Sequence, residues 1–331
     1  MKHAPGARWR SRKLGVLGVG LAALILPLGL MSPAVAAPGP TTWTVLSGSE
    51  SADMAIQGMA FLPAEIFIHP GDTVKWVANS AEIHTVTFLA TGQALQPYNP
   101  ATDAGPSGPL GSYDGTSYYN SGIFATNDPS LPTSYSLTFP NVGDFTYYCL
   151  VHGNMMKGTV HVTDPAVPYK FTQAEYDAQA ATGAAAIIAD GTTLAANKAL
   201  ATNDHTVFEG ADDGVAMVMR FIQPKVTVHV GETVKFINDG MGAPHTVTFG
   251  TPVGNPIAPA GDPTNFTGGY LNSGFAVPGS SFAVTFNKAG TFDYVCILHA
   301  GMGMVGSVTV LPAEATAAPA TPVKAKASFT G

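Results

Sequence analysis

Two short stretches of this 331-residue chain carry the same set of metal-binding side chains. Residues 149–156 read CLVHGNMM, and residues 296–304 read CILHAGMGM. Each stretch therefore offers a thiolate, an imidazole and a thioether on one short loop. A loop of this kind can hold a soft metal ion, because sulfur ligands favour such metals.

A further histidine stands far upstream of each cysteine, in a phrase that is also repeated. Residues 84–88 and residues 245–249 both read HTVTF. Two histidines, one cysteine and a weakly bound methionine are the ligands of a blue-copper electron-transfer site. The chain is therefore predicted to bind two type 1 copper ions. Their predicted ligands are His84, Cys149, His152 and Met156 in the first site, and His245, Cys296, His299 and Met304 in the second.

The axial methionine of the first site has two candidates. Met156 is favoured over Met155 because it opens a Met-x-Gly-x-Val run that Met304 also opens. Met302 is the corresponding extra methionine of the second copy, and it is expected at an exposed or rim position. A disulfide between the two cysteines is the alternative for an exported chain. It is disfavoured because it would join the same interior position of two separate domains.

The repeat of the ligand groups extends to whole domains. Runs such as residues 65–69 and 73–77 are rich in β-branched and alternating apolar residues, which predicts strands. The predicted organisation is a signal peptide, a first domain, a spacer, a second domain and a disordered tail. Their predicted ranges are 1–36, 37–163, 164–204, 205–311 and 312–331.

Two segments do not follow the strand pattern. Residues 90–133 form a long loop region rich in Pro, Gly, Asn and Tyr, and loops of that length are usually functional or mobile. Residues 171–201 are alanine-rich and are predicted to form one or two short helices, broken near Gly183 and Gly191. The expected role of this segment is a semi-rigid spacer packed on one domain, with a partner-binding helix as the alternative.

These motifs resemble those of the plastocyanin, amicyanin and pseudoazurin group of cupredoxins. The resemblance covers both predicted domains and is carried by the DTVKW run at residues 72–76, His84 and the cysteine loop of the first copy, with their counterparts in the second. It implies an all-β fold in which two Greek-key β-sandwich domains are joined by a short Ala-rich helical spacer. It also implies electron transfer with redox partner proteins rather than enzymatic activity.

The first 36 residues predict export. They hold five basic residues, an apolar run over residues 14–30 and the small-residue sequence Ala34-Val35-Ala36, as in a cleaved signal peptide. No other segment is expected to span a membrane. Cleavage would leave 10 of the 15 basic residues and all 22 acidic residues, a net charge of −12. Such a charge argues against nucleic-acid binding and predicts a secreted or extracytoplasmic protein.

Other copper functions remain as alternatives. Copper storage or delivery uses the same ligand types and stays open. A two-domain nitrite reductase is less favoured, because Tyr148 and Val295 precede the ligand cysteines where nitrite reductases carry a histidine. A multicopper oxidase is less favoured because its trinuclear cluster commonly uses His-x-His pairs. The histidines that are not predicted ligands include no His-x-His pair. His69 and His229 occupy the same position in the two repeats, and this position is expected at the surface. The leftover histidines are His69, His161, His205 and His229.

Overall fold

A computed structural model describes residues 39–108 and 111–313. The predicted signal peptide and all but two residues of the predicted tail lie outside this part of the chain. The first half contains nine strands and a short helix within the described residues. They are β1 (Thr42–Glu50), β2 (Ile56–Leu62), β3 (Glu65–Ile68), β4 (Thr73–Ala78), β5 (Thr87–Phe88), α1 (Pro100–Asp103), β6 (Tyr119–Asn120), β7 (Ser134–Thr138), β8 (Gly143–Cys149) and β9 (Gly153–Val162).

The second half repeats this strand order after a long helix. Its elements are α2 (Gln173–Ala199), β10 (Thr206–Asp212), β11 (Ala216–Ile222), β12 (Lys225–His229), β13 (Thr233–Asn238), β14 (Thr248–Phe249), β15 (Leu271–Asn272), β16 (Ser280–Thr285), β17 (Gly290–Val295) and β18 (Val305–Leu311), with a 3₁₀ turn at Ala300–Met302. Strand β5 is only two residues long, whereas β9 is ten residues long and begins at Gly153, shortly after Cys149.

Each half is a two-layer β-sandwich with its own aromatic core. In the first half β2-β1-β4-β7 face the five-stranded sheet β3-β9-β8-β5-β6, and the second half repeats the arrangement. Trp76 lies against Tyr147 at a ring-centroid distance of 5.1 Å, and Phe236 lies against Tyr294 at the same distance. The equivalent cores confirm the predicted all-β fold with two similar domains.

The two sandwiches share one sheet. Strand β11 of the second half pairs antiparallel with β2 of the first, with Val218 opposite Ile56 and Ala216 opposite Gly58. The result is a continuous eight-stranded sheet in the order β16-β13-β10-β11-β2-β1-β4-β7. Backbone pairing of this kind holds the halves in one orientation, because a ladder fixes both distance and register.

Helix α2 lies across the line where the two halves join. It packs on β1 and β2 of the first half and on β10 and β11 of the second, so the expectation that it packs on one domain was wrong. It begins with a capping box, in which Thr172 and Glu175 exchange side-chain-to-backbone hydrogen bonds. The helix is continuous over 27 residues and is not broken at either glycine. Tertiary packing therefore outweighs the low helix propensity of glycine here.

Gly191 shows why a glycine is needed inside this helix. The residue is buried, and an added Cβ would lie 2.5 Å from Cγ2 of Ile56 on β2. Gly183 is more open, since its nearest neighbour is the end of the flexible Leu62 side chain at 3.0 Å. The absence of a side chain at Gly191 therefore lets the helix approach the shared sheet closely.

Gly191→Ala is expected to destabilise the protein although alanine is the better helix former. The propensity gain is up to about 1 kcal/mol, while overpacking a tight contact costs about 1–3 kcal/mol. Gly183→Ala is the matched control, and we expect it to be neutral or stabilising. Urea unfolding of both variants measures the difference. Equal stability of the two variants would contradict the proposed close contact.

Candidate metal centres

The predicted ligands gather at one end of each sandwich. Cys149 ends β8, His152 lies in the turn that follows, and His84 lies between β4 and β5, where it forms an isolated bridge with Phe124. In the second half Cys296 directly follows β17 and His245 forms the corresponding bridge with Ala276. The cysteine-to-histidine spacing of three residues is local, whereas the upstream histidine is brought in by strand pairing.

The first group of ligand atoms has the spacing of a metal site. Sγ of Cys149 lies 3.3 Å from Nδ1 of His152 and 4.0 Å from Nδ1 of His84. All three ligand atoms lie within 4.8 Å of one another. Metals bind imidazole nitrogen at about 2.0–2.1 Å and thiolate at about 2.3 Å, so two such atoms set about 120° apart around one ion lie about 3.7 Å from each other. The residues therefore fit a three-coordinate plane around one ion.

The second group repeats this geometry. Sγ of Cys296 lies 3.4 Å from Nδ1 of His299 and 3.9 Å from Nδ1 of His245. The two imidazole nitrogens are 3.1 Å apart. The cysteines belong to different groups and are both free, so they do not form the alternative disulfide.

Burial prepares the histidines to bind a cation. It lowers the pKa of His152 and of His299 to about 4. Burial, with His299 close by, lowers the pKa of His245 to about 3, and burial with His152 nearby holds the pKa of His84 well below its usual value. The imidazoles are therefore neutral at pH 7, as ligation requires.

Burial has the opposite effect on the thiols. It raises the pKa of Cys149 and of Cys296 despite the backbone N–H groups of Thr85 and Thr246, whose nitrogens lie 3.4 Å from the two sulfurs. Each site thus has neutral nitrogen donors around a thiol that a bound metal ion would deprotonate.

Comparison with known proteins shows to which family of metal-binding proteins the chain belongs. A family model described as copper binding proteins of the plastocyanin/azurin family matches residues 49–163 and again residues 206–311. The chain belongs to this family. The second matched segment coincides with the second sandwich, the first covers the first sandwich from the end of β1 onward, and together they include every predicted ligand.

Two plastocyanins agree with the family match. A chloroplastic plastocyanin of Physcomitrium patens is 35% identical over 145 residues, which is 43% of this chain and 77% of that protein. A plastocyanin of Scenedesmus fuscus is 37% identical over 109 residues, 32% of this chain and 99% of that protein. A solved Cu(I) form of an amicyanin mutant is 28% identical, covers 34% of this chain and 89% of its own, and has a TM-score of 0.23.

A threonine pair supports each copper loop, and sequence reasoning missed it. Thr85 Oγ1 accepts a hydrogen bond from the backbone N–H of Leu150 at 2.8 Å, and its hydroxyl lies 3.1 Å from that of Thr87. The Thr87 hydroxyl donates to Oδ1 of Asn120, which also accepts from the Gly122 N–H. Both threonines of each pair are part of the repeated HTVTF phrase, so the sequence did contain a signal for them.

The second copy has the same network. Thr246 accepts from the Ile297 N–H at 2.8 Å, and the Thr248 hydroxyl lies 3.2 Å from that of Thr246 and donates to Oδ1 of Asn272. Each of the two asparagines, Asn120 and Asn272, thus accepts from a threonine of this network and from the backbone of the turn that follows it. Groups that orient ligands in this way tune metal binding.

Thr85→Val is expected to weaken copper binding at the first site alone. Valine has nearly the same shape but leaves the buried Leu150 N–H without an acceptor, which costs about 1–3 kcal/mol. Changes to groups that hold ligands typically reduce metal affinity about 10–100-fold. Copper titration with separate readout of the two sites tests this, and Thr246→Val should reverse the pattern. A loss shared equally by both sites would contradict the assignment.

The methionines behave differently from one another. Met156 and Met304 are fully buried, each in the same core as its cysteine, which is consistent with their proposed role as axial ligands. Met155 is 37% exposed, and its sulfur instead lies against Gly214 of the second half. Met302 is buried against the first core rather than exposed, so the prediction for it was wrong. That difference arises because the second domain covers the end of the first.

The remaining histidines lie elsewhere. His69 stacks on Tyr169 with ring centroids 3.9 Å apart, and Nδ1 of His161 lies 2.6 Å from Oδ1 of Asp144. Within residues 39–108 and 111–313, only the two His-Cys-His groups bring three potential ligands together. The same part of the chain has no helix that is both long and apolar enough for a membrane span.

Proposed function

We propose that this protein is an exported electron carrier with a type 1 copper site in each domain and no chemistry on a substrate of its own. The observation that carries this proposal is the buried thiol flanked by two neutral Nδ1 atoms, present in both halves of a chain of the plastocyanin/azurin family. Bound copper would supply a one-electron couple that cycles between Cu(I) and Cu(II).

The protein's own residues favour rapid electron exchange by holding the ligands still. His84 and His245 are each fixed by a backbone bridge, and the cysteines sit at or directly after strand ends. The Thr85 and Thr246 hydroxyls tie the cysteine loops to the HTVTF segments. A rigid, mostly buried ligand set changes little between oxidation states, so reorganisation contributes little to the barrier.

Export is proposed from the first 36 residues and from the charge of the remainder. The basic start, the apolar run and the Ala-Val-Ala sequence support cleavage after residue 36. The mature chain would then carry a net charge of −12 and would approach basic or neutral redox partner proteins most readily. Mass determination of the secreted protein tests cleavage, with Ala37 expected as its first residue.

Copper loading of the purified protein tests the function. We expect two coppers per chain, an intense copper–thiolate absorption in the visible range and full reduction and reoxidation by small redox proteins without metal loss. Copper transfer to an acceptor protein during cycling would instead favour storage or delivery. Nitrite turnover would favour an enzyme, and a colourless, fully metallated protein would refute type 1 coordination.

A further inference from the structure

The two copper sites face a shared cavity between the domains. This space of about 500 Å³ is lined by residues of both halves. His152 contributes the edge of the first site, and His299 contributes the edge of the second. Around them lie mainly apolar side chains, including Met217 and Met302 of the second half. The cavity is thus a place where one domain can act on the copper ligands of the other.

One carboxyl side chain reaches from the first domain to the second site. Glu82 lies between β4 and β5, and its Oε1 atom is 3.5 Å from Nε2 of His299. Both side chains are largely enclosed, with exposures of 12% and 7%. Glu82 Oε1 is buried and has no hydrogen-bond partner in the described part of the chain, and Nε2 of His299 lies within ion-pair distance of it. An unpartnered buried carboxylate oxygen is costly and calls for a donor.

Metal binding would turn His299 into that donor. Its Nδ1 faces Cys296 at 3.4 Å, so Nδ1 is the atom directed at the metal. The ring proton of a neutral imidazole must then sit on Nε2, which points toward Glu82. A carboxylate behind a metal-bound imidazole fixes the tautomer and ring orientation and raises the basicity of the ligand. The 3.5 Å separation leaves room for the contact to shorten when the ring is held by the metal.

We propose that Glu82 of the first domain is a positioning residue for the copper site of the second domain. The proposal rests on the proposed function, since it requires copper at the second site. Two further observations support the proposal. The β2–β11 pairing holds the domains in register, so the contact does not depend on a mobile hinge. Glu82 also stands two residues before His84, so the contact joins the ligand sets of both sites through a short stretch of chain.

The contact is not reciprocal. The residue two positions before His245 is Ala243, which also lines the cavity but carries no charge. His152 has no carboxylate at ion-pair distance among the described residues. The two sites should therefore differ in their response to changes at the interface. Only the second should depend on a side chain of the opposite domain.

The test isolates the second site in the full-length chain with Cys149→Ser. In this background Glu82→Ala is expected to reduce copper affinity about tenfold. It should also raise the ratio of reduced to oxidised copper about tenfold at a fixed potential, a shift of about 59 mV for a one-electron couple. The sign follows from the loss of a negative group that favours the oxidised ion. Electron paramagnetic resonance of the Cu(II) form should report an altered ligand geometry.

Matched variants separate this role from a structural one. Glu82→Gln keeps the shape and one acceptor oxygen, so it should recover most of the affinity but retain much of the potential shift. Glu65→Gln changes an exposed carboxylate on β3, away from the cavity, and should alter neither. In the Cys296→Ser background Glu82→Ala should leave the first site's spectrum unchanged.

Either of two results would overturn the proposal. One is an unchanged affinity, potential and resonance spectrum at the second site in Glu82→Ala. The other is an equal change at both sites, which would indicate a general disturbance of the fold. A parent protein that binds no copper would instead refute the proposed function, so the two failures are distinguishable.

Discussion

Cys149→Ser is expected to remove one of two coppers per chain and half of the visible absorption, and Cys296→Ser is expected to remove the other half. In each group the cysteine sulfur lies within 4.0 Å of both histidine nitrogens. A serine hydroxyl is not deprotonated by copper as readily as a thiol, and it lacks the soft donor that the Cu(I) state prefers. The remaining site should keep its own spectrum, because the two groups share no ligand.

The double variant Cys149→Ser/Cys296→Ser should be colourless and bind no copper tightly. Met155→Leu is the matched control in the first loop, since it changes a sulfur residue directed toward Gly214 rather than toward the cysteine. Its absorption should match that of the parent protein, whereas Met156→Leu should shift it. Metal analysis and unfolding curves of each metal-free variant separate lost ligation from lost fold. Two coppers retained in either single cysteine variant would contradict the assignment.

The two candidate copper sites could be predicted from sequence because most of their ligands lie close together in the chain and the pattern occurs twice. Cys149 and His152 are three residues apart, so one turn places both side chains on the same ion. His84 and His245 are distant, but the shared HTVTF phrase identifies them as the same element in two copies. The structure brings the ligand atoms of the two histidines and the cysteine in each set within 4.8 Å of one another. The upstream histidines could be identified as candidate ligands because the phrase that contains them occurs twice. A single copy would have left their role ambiguous.

The relation between the domains could not be predicted in the same way. Strands β2 and β11 pair as edge strands of two different sandwiches, and the sequence of neither strand identifies the strand with which it pairs. Glycine has a low helix propensity, yet Gly191 lies inside α2 and allows the helix to approach Ile56 on β2 closely. Glu82 belongs to no recognisable sequence motif. It lies close to His299 only because the shared sheet holds the two halves together in one orientation. Contacts across the domain boundary arise from tertiary geometry rather than from local pattern.

Metal-free protein is expected to be most stable near pH 6.5 and to lose stability steeply on the acid side. Burial lowers the pKa of His152 and His299 from 6.5 to about 4. Between these values the unfolded chain binds protons that the folded chain does not, so stability falls as pH falls through this window. Each of these histidines contributes about 3 kcal/mol to the change. His84 and His245, whose pKa values are also lowered, act in the same direction.

Two buried carboxyl groups act in the opposite direction. Burial raises the pKa of Glu82 from 4.5 to about 7 and the pKa of Glu209 from 4.5 to about 8. The folded chain therefore binds protons that the unfolded chain has lost, and stability falls as pH rises from 4.5 toward 8. Between pH 4.5 and 6.5 four histidines oppose two carboxyls. The net difference of about two protons corresponds to about 2.7 kcal/mol per pH unit. Above pH 6.5 the carboxyls act alone, which places the maximum there.

Urea unfolding of the metal-free chain between pH 4.5 and 8 measures this profile. His152→Asn removes one of the four histidines, so the acid-side slope should decrease by about 1.4 kcal/mol per pH unit. Glu209→Gln removes one carboxyl, so the decline above pH 6.5 should become shallower. His205→Asn changes an exposed histidine and serves as the control. A stability that is flat from pH 4.5 to 6.5 would show that the buried imidazoles are not held neutral. The ligand groups would then lack the electrostatic preparation for copper that their burial indicates.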